Sequence, residues 1–193
     1  MTMNSNHRYF LSGLAAVILG FITTAGLLAQ SPSEAERHFQ EGRYAEALNI
    51  YRSLASEHPD DTRFPYNAGV AAYKAGQFAE AMDWFDSASL ASDLAVQQQA
   101  HYNMGNALFR AGENLDEFEQ KATAWKQAVQ RYQHALSLNE GDSQAQDNLN
   151  FVKQRLEELQ QQEQDQQDSE SNQEEDQDQQ QDQDQQQDQD QQQ

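Results

Sequence analysis

The stretch HYNMGNALFRAGEN, residues 101–114, places two glycines seven apart, Gly105 and Gly112. Glycine-rich turns can cradle phosphate, but a phosphate loop needs the pattern GxxxxGK[ST] after a strand. Here no strand pattern precedes the glycines, and Gly112 is followed by Glu113 and Asn114. The five histidines are His7, His38, His58, His101 and His134, and no two fall in an HExxH or other paired-ligand spacing. The absence of cysteine excludes disulfides, thiolate metal sites and a lipid-modified N-terminal Cys. Carboxylates are plentiful, but pairs of them on helix surfaces read as solvated faces. The expectation is a chain with no catalytic residues, no cofactor and no metal site, hence not an enzyme.

The glycines make more sense as parts of a repeat. GRYAEALNIYRSLASEHP, from Gly42, aligns with GQFAEAMDWFDSASLASD, from Gly76. Gly42 matches Gly76, Tyr44 matches Phe78, Ala47 matches Ala81 and Tyr51 matches Phe85, each pair 34 apart. A third copy begins in the opening stretch: Gly69 and Tyr73 correspond to Gly105 and Phe109, 36 apart. A mid-helix glycine costs about 1 kcal/mol relative to alanine. It is tolerated where another helix must come close and an aromatic fills the facing gap. Gly42, Gly76 and Gly112 suit the left-handed position that ends a helix. One helical hairpin cannot bury its apolar face, whereas stacked hairpins can.

The pattern resembles the tetratricopeptide repeat, a 34-residue pair of antiparallel helices, over roughly residues 33–160. In that family the first helix carries a small residue at its middle, here Ala35, Gly69 and Gly105. The second helix carries small and aromatic residues four apart, here Ala47 and Tyr51, Ala81 and Phe85, Ala128 and Tyr132. Pro59 closes the first repeat as the family often does, whereas the other closures have Asp93 and Glu140. The resemblance implies an all-α fold, a right-handed superhelix of about three helical hairpins with a long closing helix. The expected units are about 33–59, 62–93 and 96–140, with the closing helix at 143–160, in a domain spanning 30–160.

The third unit is irregular. From Gly112 to Ala128 the separation is sixteen, against five in the first two units. The added residues continue a helical stripe of Leu115, Phe118, Ala122, Trp125, Val129, Tyr132 and Leu136. One long second helix is therefore expected from about Leu115 to Leu138. Ala145, Leu149, Val152, Leu156 and Leu159 form a second stripe, and NEGD between the two is a short turn. The two helices should lie antiparallel, with Tyr132 near Leu149 and Trp125 near Leu156. Phe118 and Trp125 are read as packing residues, the alternative being an exposed docking patch.

The resemblance also points to a binding face, because first helices of such repeats line a concave groove that takes peptides or partner helices. Two residues before Gly69, Gly105 and, on the closing helix, Asn150 stands an asparagine: Asn67, Asn103 and Asn148. An amide offers donor and acceptor together and can grip a peptide backbone. Asn106 faces the groove in the family pattern, and around these lie Tyr66, Tyr102, Tyr73 and Phe109, with Arg63, Lys74 and Arg110 as cations. Chaperone-binding members clamp a terminal carboxylate with lysine, asparagine and arginine. Tyrosine stands here at a place where they often have lysine, so that clamp is not supported. The plainer alternative is that the asparagines bond neighbouring helices to each other.

The chain ends differ from the middle. Arg8 precedes an uncharged run of 21 residues, Tyr9 to Ala29, and then the polar QSPSEAER. This order reads residues 1–29 as a signal peptide cleaved after Ala29 or as a retained membrane anchor, the run being long enough to span a bilayer. Either exports the rest of the chain, to the periplasm or the outer face of the inner membrane if the source is bacterial. From Gln160 onward stand 12 acidic residues and no Lys or Arg, and the chain's net charge is −20. Binding nucleic acid through charge is excluded. The tail, 161–193, has no apolar residue to offset the entropy of ordering and is expected to be disordered, the alternative being a weakly helical start.

The exported segment, the repeats, DNLNFVKQRLEELQQQ and the Gln/Asp-rich tail together resemble the tetratricopeptide proteins of bacterial aerotolerance (Bat-type) operons. That resemblance implies an adaptor in a cell-envelope complex, with von Willebrand factor A-domain membrane proteins among its partners. Two alternatives stand beside it: a periplasmic chaperone-like factor holding extended peptides, and an acidic metal-buffering protein acting through its tail.

Overall fold

The computed structural model describes residues 31–190, and their side chains as far as Ser169. The signal or anchor reading of residues 1–29 lies outside the described residues. Seven α-helices and no strands are present among them. They run α1 Pro32–Gln40, α2 Tyr44–Glu57, α3 Arg63–Lys74, α4 Phe78–Ala88, α5 Leu94–Glu113, α6 Phe118–Leu138 and α7 Ser143–Asp190. Each helix packs on the next through a short connection, giving three antiparallel hairpins and a closing helix. The all-α solenoid expected from the repeat pattern is what the chain adopts.

Local chemistry sets the helix ends. Ser31 caps α1, its Oγ accepting from the Glu34 amide at 3.2 Å, and Pro32 follows where a missing N–H costs nothing. Asp93 caps α5 through the Ala95 amide at 2.8 Å, and Asp142 caps α7 through Ala145 at 3.0 Å. Gly42 and Gly76 have φ of 75° and 77°. There the Arg43 amide reaches back to His38 O at 2.9 Å, and the Gln77 amide to Ala72 O at 2.9 Å. These are left-handed glycine stops that satisfy the last carbonyls.

Gly112 is different, and the expectation that it ends a helix is corrected. It lies inside α5, buried, and a Cβ built on it would stand 2.6 Å from the Trp125 ring. The reason is the lengthened partner. α6 begins at Phe118, three residues later than Leu115, and its added turns give α5 a surface to pack on past the usual stop. Trp125 stacks on Phe109 at 5.3 Å between centroids, and its Nε1 donates to Phe109 O at 3.1 Å. Trp125 is 3% exposed, so it is core rather than a docking residue, and Phe118 is half-buried against the same cluster.

The other two small residues do what their spacing suggests. A Cβ on Gly69 would meet Phe85 at 2.6 Å, and one on Gly105 would meet Tyr132 at 2.7 Å. The aromatic of each second helix thus fills the notch in its own first helix. Leu149 and Val152 of α7 join Trp125, Ala128 and Tyr132 in one buried cluster, with Val129, Leu136 and Leu156 at its margin.

α7 also departs from expectation. It continues as helix through the Gln/Asp-rich tail to Asp190, where disorder was expected from residue 161. No Gly or Pro follows Gly141 to break it, and Gln is a good helix former. Between Gln160 and Ser169, however, no residue is buried. Local links such as Gln161 Nε2 to Asp165 Oδ1, 2.8 Å, are what accompany the backbone there.

Candidate partner-binding groove

Alternate helices form two layers. The outer layer of second helices is tied by ion pairs, Arg52 to Glu80 between α2 and α4 at 2.5 Å and Arg131 to Asp86 between α4 and α6 at 3.9 Å. The inner layer of first helices is tied by amides and phenols. Asn103 Nδ2 donates to Tyr66 Oη at 3.1 Å, bridging α3 and α5, and to Gln99 O at 3.0 Å. Asn148 Nδ2 donates to Tyr102 Oη at 3.1 Å and to Asn106 Oδ1 at 3.0 Å, bridging α5 and α7. Tyr132 Oη, from behind, donates to the same Asn106 oxygen at 2.7 Å.

An asparagine has two N–H donors and two acceptor sites. Both donors of Asn103 and of Asn148 are therefore used, one of Asn103's within α5 and the other three between helices, and Asn106 Oδ1 is filled. Open on this face are the whole side-chain amide of Asn67, which makes no hydrogen bond among the described residues, the carbonyl oxygen of Asn148, and one N–H of Asn106, whose other N–H reaches Asn103 Oδ1 at 3.5 Å. The asparagine row thus has two kinds of member. Asn103, Asn106 and Asn148 brace the groove wall, while Asn67 presents a vacant donor and acceptor pair.

The phenols serve both ways, Tyr66 and Tyr102 accepting and Tyr132 and Tyr51 donating. Burial pushes the Tyr132 and Tyr66 hydroxyls above their ordinary range. Burial and then the neighbouring Glu36 carboxylate push Tyr51 up to about 12, with its Oη donating to Glu36 at 3.3 Å. Among the described residues, no group of three or more His, Cys, Asp or Glu is arranged to hold a metal ion.

The Tyr66–Asn103 bridge divides the groove. On one side a cavity of about 160 Å³ between α1 and α3 is lined by Glu36, Phe39, Tyr51, Tyr66, Asn67 and Val70. On the other a cavity of about 160 Å³ between α5 and α7 is lined by Tyr73, Asn106, Phe109, Arg110, Tyr132, Asn148, Phe151 and Val152. Beside it Tyr73, Lys74, Gly76, Phe78 and Arg110 border a further hollow of about 440 Å³. The fold therefore brings together Asn67, Asn103, Asn106, Asn148, Tyr66, Tyr73, Tyr102, Phe109, Lys74 and Arg110. Arg63 is not with them. It forks onto Asp61 at the start of α3, with Nε at 2.8 Å and Nη2 at 2.6 Å from the carboxylate oxygens.

Phe151 is the groove residue that sequence reasoning missed. It is 52% exposed and meets Phe109 edge-to-face at 5.5 Å. The available signal was an aromatic off the Ala145, Leu149, Val152 stripe, which the packing could not need. A cavity of about 650 Å³ lies on the opposite face, among Met82, Met104, Leu108 and the polar side chains of α4 and α6. It lies between α4 and α6 over Met104 and Leu108 of α5, and no sequence feature marked it.

Comparison with known proteins agrees with the architecture. A sequence profile of the tetratricopeptide repeat matches residues 38–100. No curated protein sequence matches the chain. Among solved structures, the first repeat domain of human RPAP3 superposes with a TM-score of 0.55 at 20% identity, covering 66% of this chain and 91% of that one. The second repeat domain of human RPAP3, solved with the HSP70 peptide SGPTIEEVD, gives 0.54 at 22% identity, covering 65% and 92%. The first repeat domain of Spaghetti (RPAP3), bound to the HSP90 peptide SRMEEVD, gives 0.52 at 21% identity, covering 64% and 88%. The shared feature is the tetratricopeptide fold.

Proposed function

We propose that this chain is an exported adaptor that holds a segment of a partner protein in its concave groove. One observation carries the reading: a braced wall of bonded asparagines and tyrosines flanked by two small aromatic-lined cavities, with Asn67 and Phe151 left open. Rigid walls with a few vacant polar groups and apolar sockets are what a peptide-sized ligand needs. The same fold carries peptides in the HSP70- and HSP90-peptide complexes, which supports a groove of this kind. The exported segment and the acidic tail extend the reading to a cell-envelope complex of the aerotolerance type. There residues 9–29, where they are not cleaved, hold the chain at the membrane, with von Willebrand factor A-domain proteins as partners.

The test is a photocrosslinker at position 151 in the full chain, set against one at Gln127 on the opposite face. A defined partner should crosslink from the groove and not from the back. Asn67→Ala with Phe151→Ala should abolish that product while the fold is kept, since Asn67 bonds no other side chain among the described residues and Phe151, 52% exposed, touches α5 only through its edge contact with Phe109. Equal crosslinking from both faces, or a folded double variant that captures the partner as well as wild type does, would refute groove binding.

A further inference from the structure

The helix connections alternate between two edges of the stack because successive helices are antiparallel. Ser31 and the connections α2–α3, α4–α5 and α6–α7 therefore share one edge. The Gln98 Nε2 bond to Asp142 Oδ2, 2.5 Å, ties the start of α5 to the start of α7 there. On this edge stand Leu90, 82% exposed, and Leu94, 60% exposed, the two most exposed large apolar side chains among the described residues. Their exposure is built in. Ala91 between them is 2% exposed, its carbonyl accepts from Gln97 Nε2 at 2.6 Å, and Asp93 caps α5. The loop is thus fixed underneath while both leucines face outward.

The chain enters the fold at the same edge. The uncharged run of 21 residues ends at Ala29, two residues before Ser31. Two residues reach at most about 7 Å. A helix of that length spans about 31 Å, the thickness of a bilayer's hydrocarbon core. We infer that in the full chain this edge rests on the bilayer that holds residues 9–29, with Leu90 and Leu94 inserted at its apolar boundary. The inference rests on the anchored form of the proposed adaptor. Because the edge is made of helix ends and the groove of helix sides, the groove stays open beside the membrane.

Charge selects the lipid. Asp60, Asp93, Glu140 and Asp142 lie on or beside this edge, and Arg63 is occupied by Asp61. An acidic edge is repelled by anionic headgroups within a Debye length. Contact is therefore with a neutral surface, driven by the leucines, and weakens as anionic lipid is added.

The chain has no cysteine, so single labels are unambiguous. Leu90→Cys and Leu94→Cys, with Gln77→Cys on the opposite edge as control, would carry an environment-sensitive fluorophore in the full chain. The chain would be reconstituted in phosphatidylcholine vesicles. Labels at 90 and 94 should shift to the blue and be quenched several-fold more by lipid-borne nitroxide than the label at 77. Adding phosphatidylserine should reduce the difference. Equal quenching at 90 and 77 in vesicles from which alkaline carbonate does not extract the protein overturns the edge contact while leaving the anchor intact. Extraction by carbonate overturns it through loss of the anchor. A blue shift without lipid quenching points to a second copy on this edge and overturns it too. Groove crosslinking is read separately, so its failure is distinguishable from all three.

Discussion

Replacing Gly112 by alanine separates two roles that glycine can play in a helical repeat. At Gly76, with φ of 77° and nothing within 4 Å of an added Cβ, the cost of alanine is backbone strain, about 1–2 kcal/mol. At Gly112 the backbone is helical, so alanine regains about 1 kcal/mol of propensity. Against that gain, its Cβ would fall 2.6 Å from Trp125 Cδ1 and Nε1 and 3.2 Å from Ala124 Cβ. The indole is 3% exposed, stacked on Phe109 and bonded to Phe109 O, and Arg155 lies over it at 5.8 Å, so it cannot swing clear cheaply. Overpacking of this kind costs about 1–3 kcal/mol. Leaving the indole N–H buried without its acceptor adds about 1–3 kcal/mol. The net is a loss of about 1–5 kcal/mol. With an unfolding entropy near 2.1 cal/mol/K per residue over roughly 130 packed residues, 2 kcal/mol lowers Tm by about 7 °C. Thermal melts followed by circular dichroism, with tryptophan emission as a local probe, would measure both. The further variant Gly112→Asn should be worse than alanine, whereas Gly76→Asn should cost only a few tenths of a kcal/mol, since asparagine tolerates the left-handed region. A Gly112→Ala protein as stable as wild type with unchanged emission would refute the packing assignment.

Three other outcomes follow from the same contacts. Tyr132→Phe removes the 2.7 Å donor to Asn106 and should cost about 1 kcal/mol, and a double-mutant cycle with Asn148→Ala should be non-additive because both bond the same oxygen. Additive losses would mean that the ladder is not one network. His101 packs edge-to-face on His134 at 5.3 Å with its Nδ1 buried and unbonded, and burial, then Arg131 and His134, depress its pKa against the pull of Asp86. The unfolded chain therefore takes up this proton first, so the stability it contributes is present above about pH 6.5 and is lost as the pH falls through the folded value. His101→Gln should flatten the fall in Tm between about pH 7.5 and 5.5, and an unchanged slope would rule out His101 as its source. Ending the chain at Gln162 should move Tm by less than about 2 °C, and amides beyond that point should exchange quickly, because an unpacked helix is marginal in water. Strong protection there would show that the tail packs on something.

The repeat and its stacking were legible because they are local. A 34-residue period, left-handed glycines at 42 and 76, and small residues facing aromatics each depend on neighbours within one hairpin. Gly112 was misread because its sequence context is the same as that of Gly76. Only the eleven added residues, by extending α6, turned a helix stop into a notch for Trp125. The start of α6 at Phe118 rather than Leu115 has the same origin, since α5 runs on into the expected connection.

The groove divides along the same line. That Asn67, Asn103 and Asn148 occupy equivalent positions, on the inner side of successive first helices, is a matter of spacing and was readable in the chain. Which amides are spent is not, because hydrogen-bond occupancy depends on what a neighbouring helix brings within about 3 Å. Tyr66, Tyr102 and Tyr132 come from elements 26 to 46 residues away from the asparagines they bond. The amino-acid sequence alone determined the repeat, its stacking and the candidate inner face, since periodicity is a property of the chain. The tertiary structure decided which of those residues hold the wall and which stay open, since satisfaction of polar groups is settled only once the helices meet.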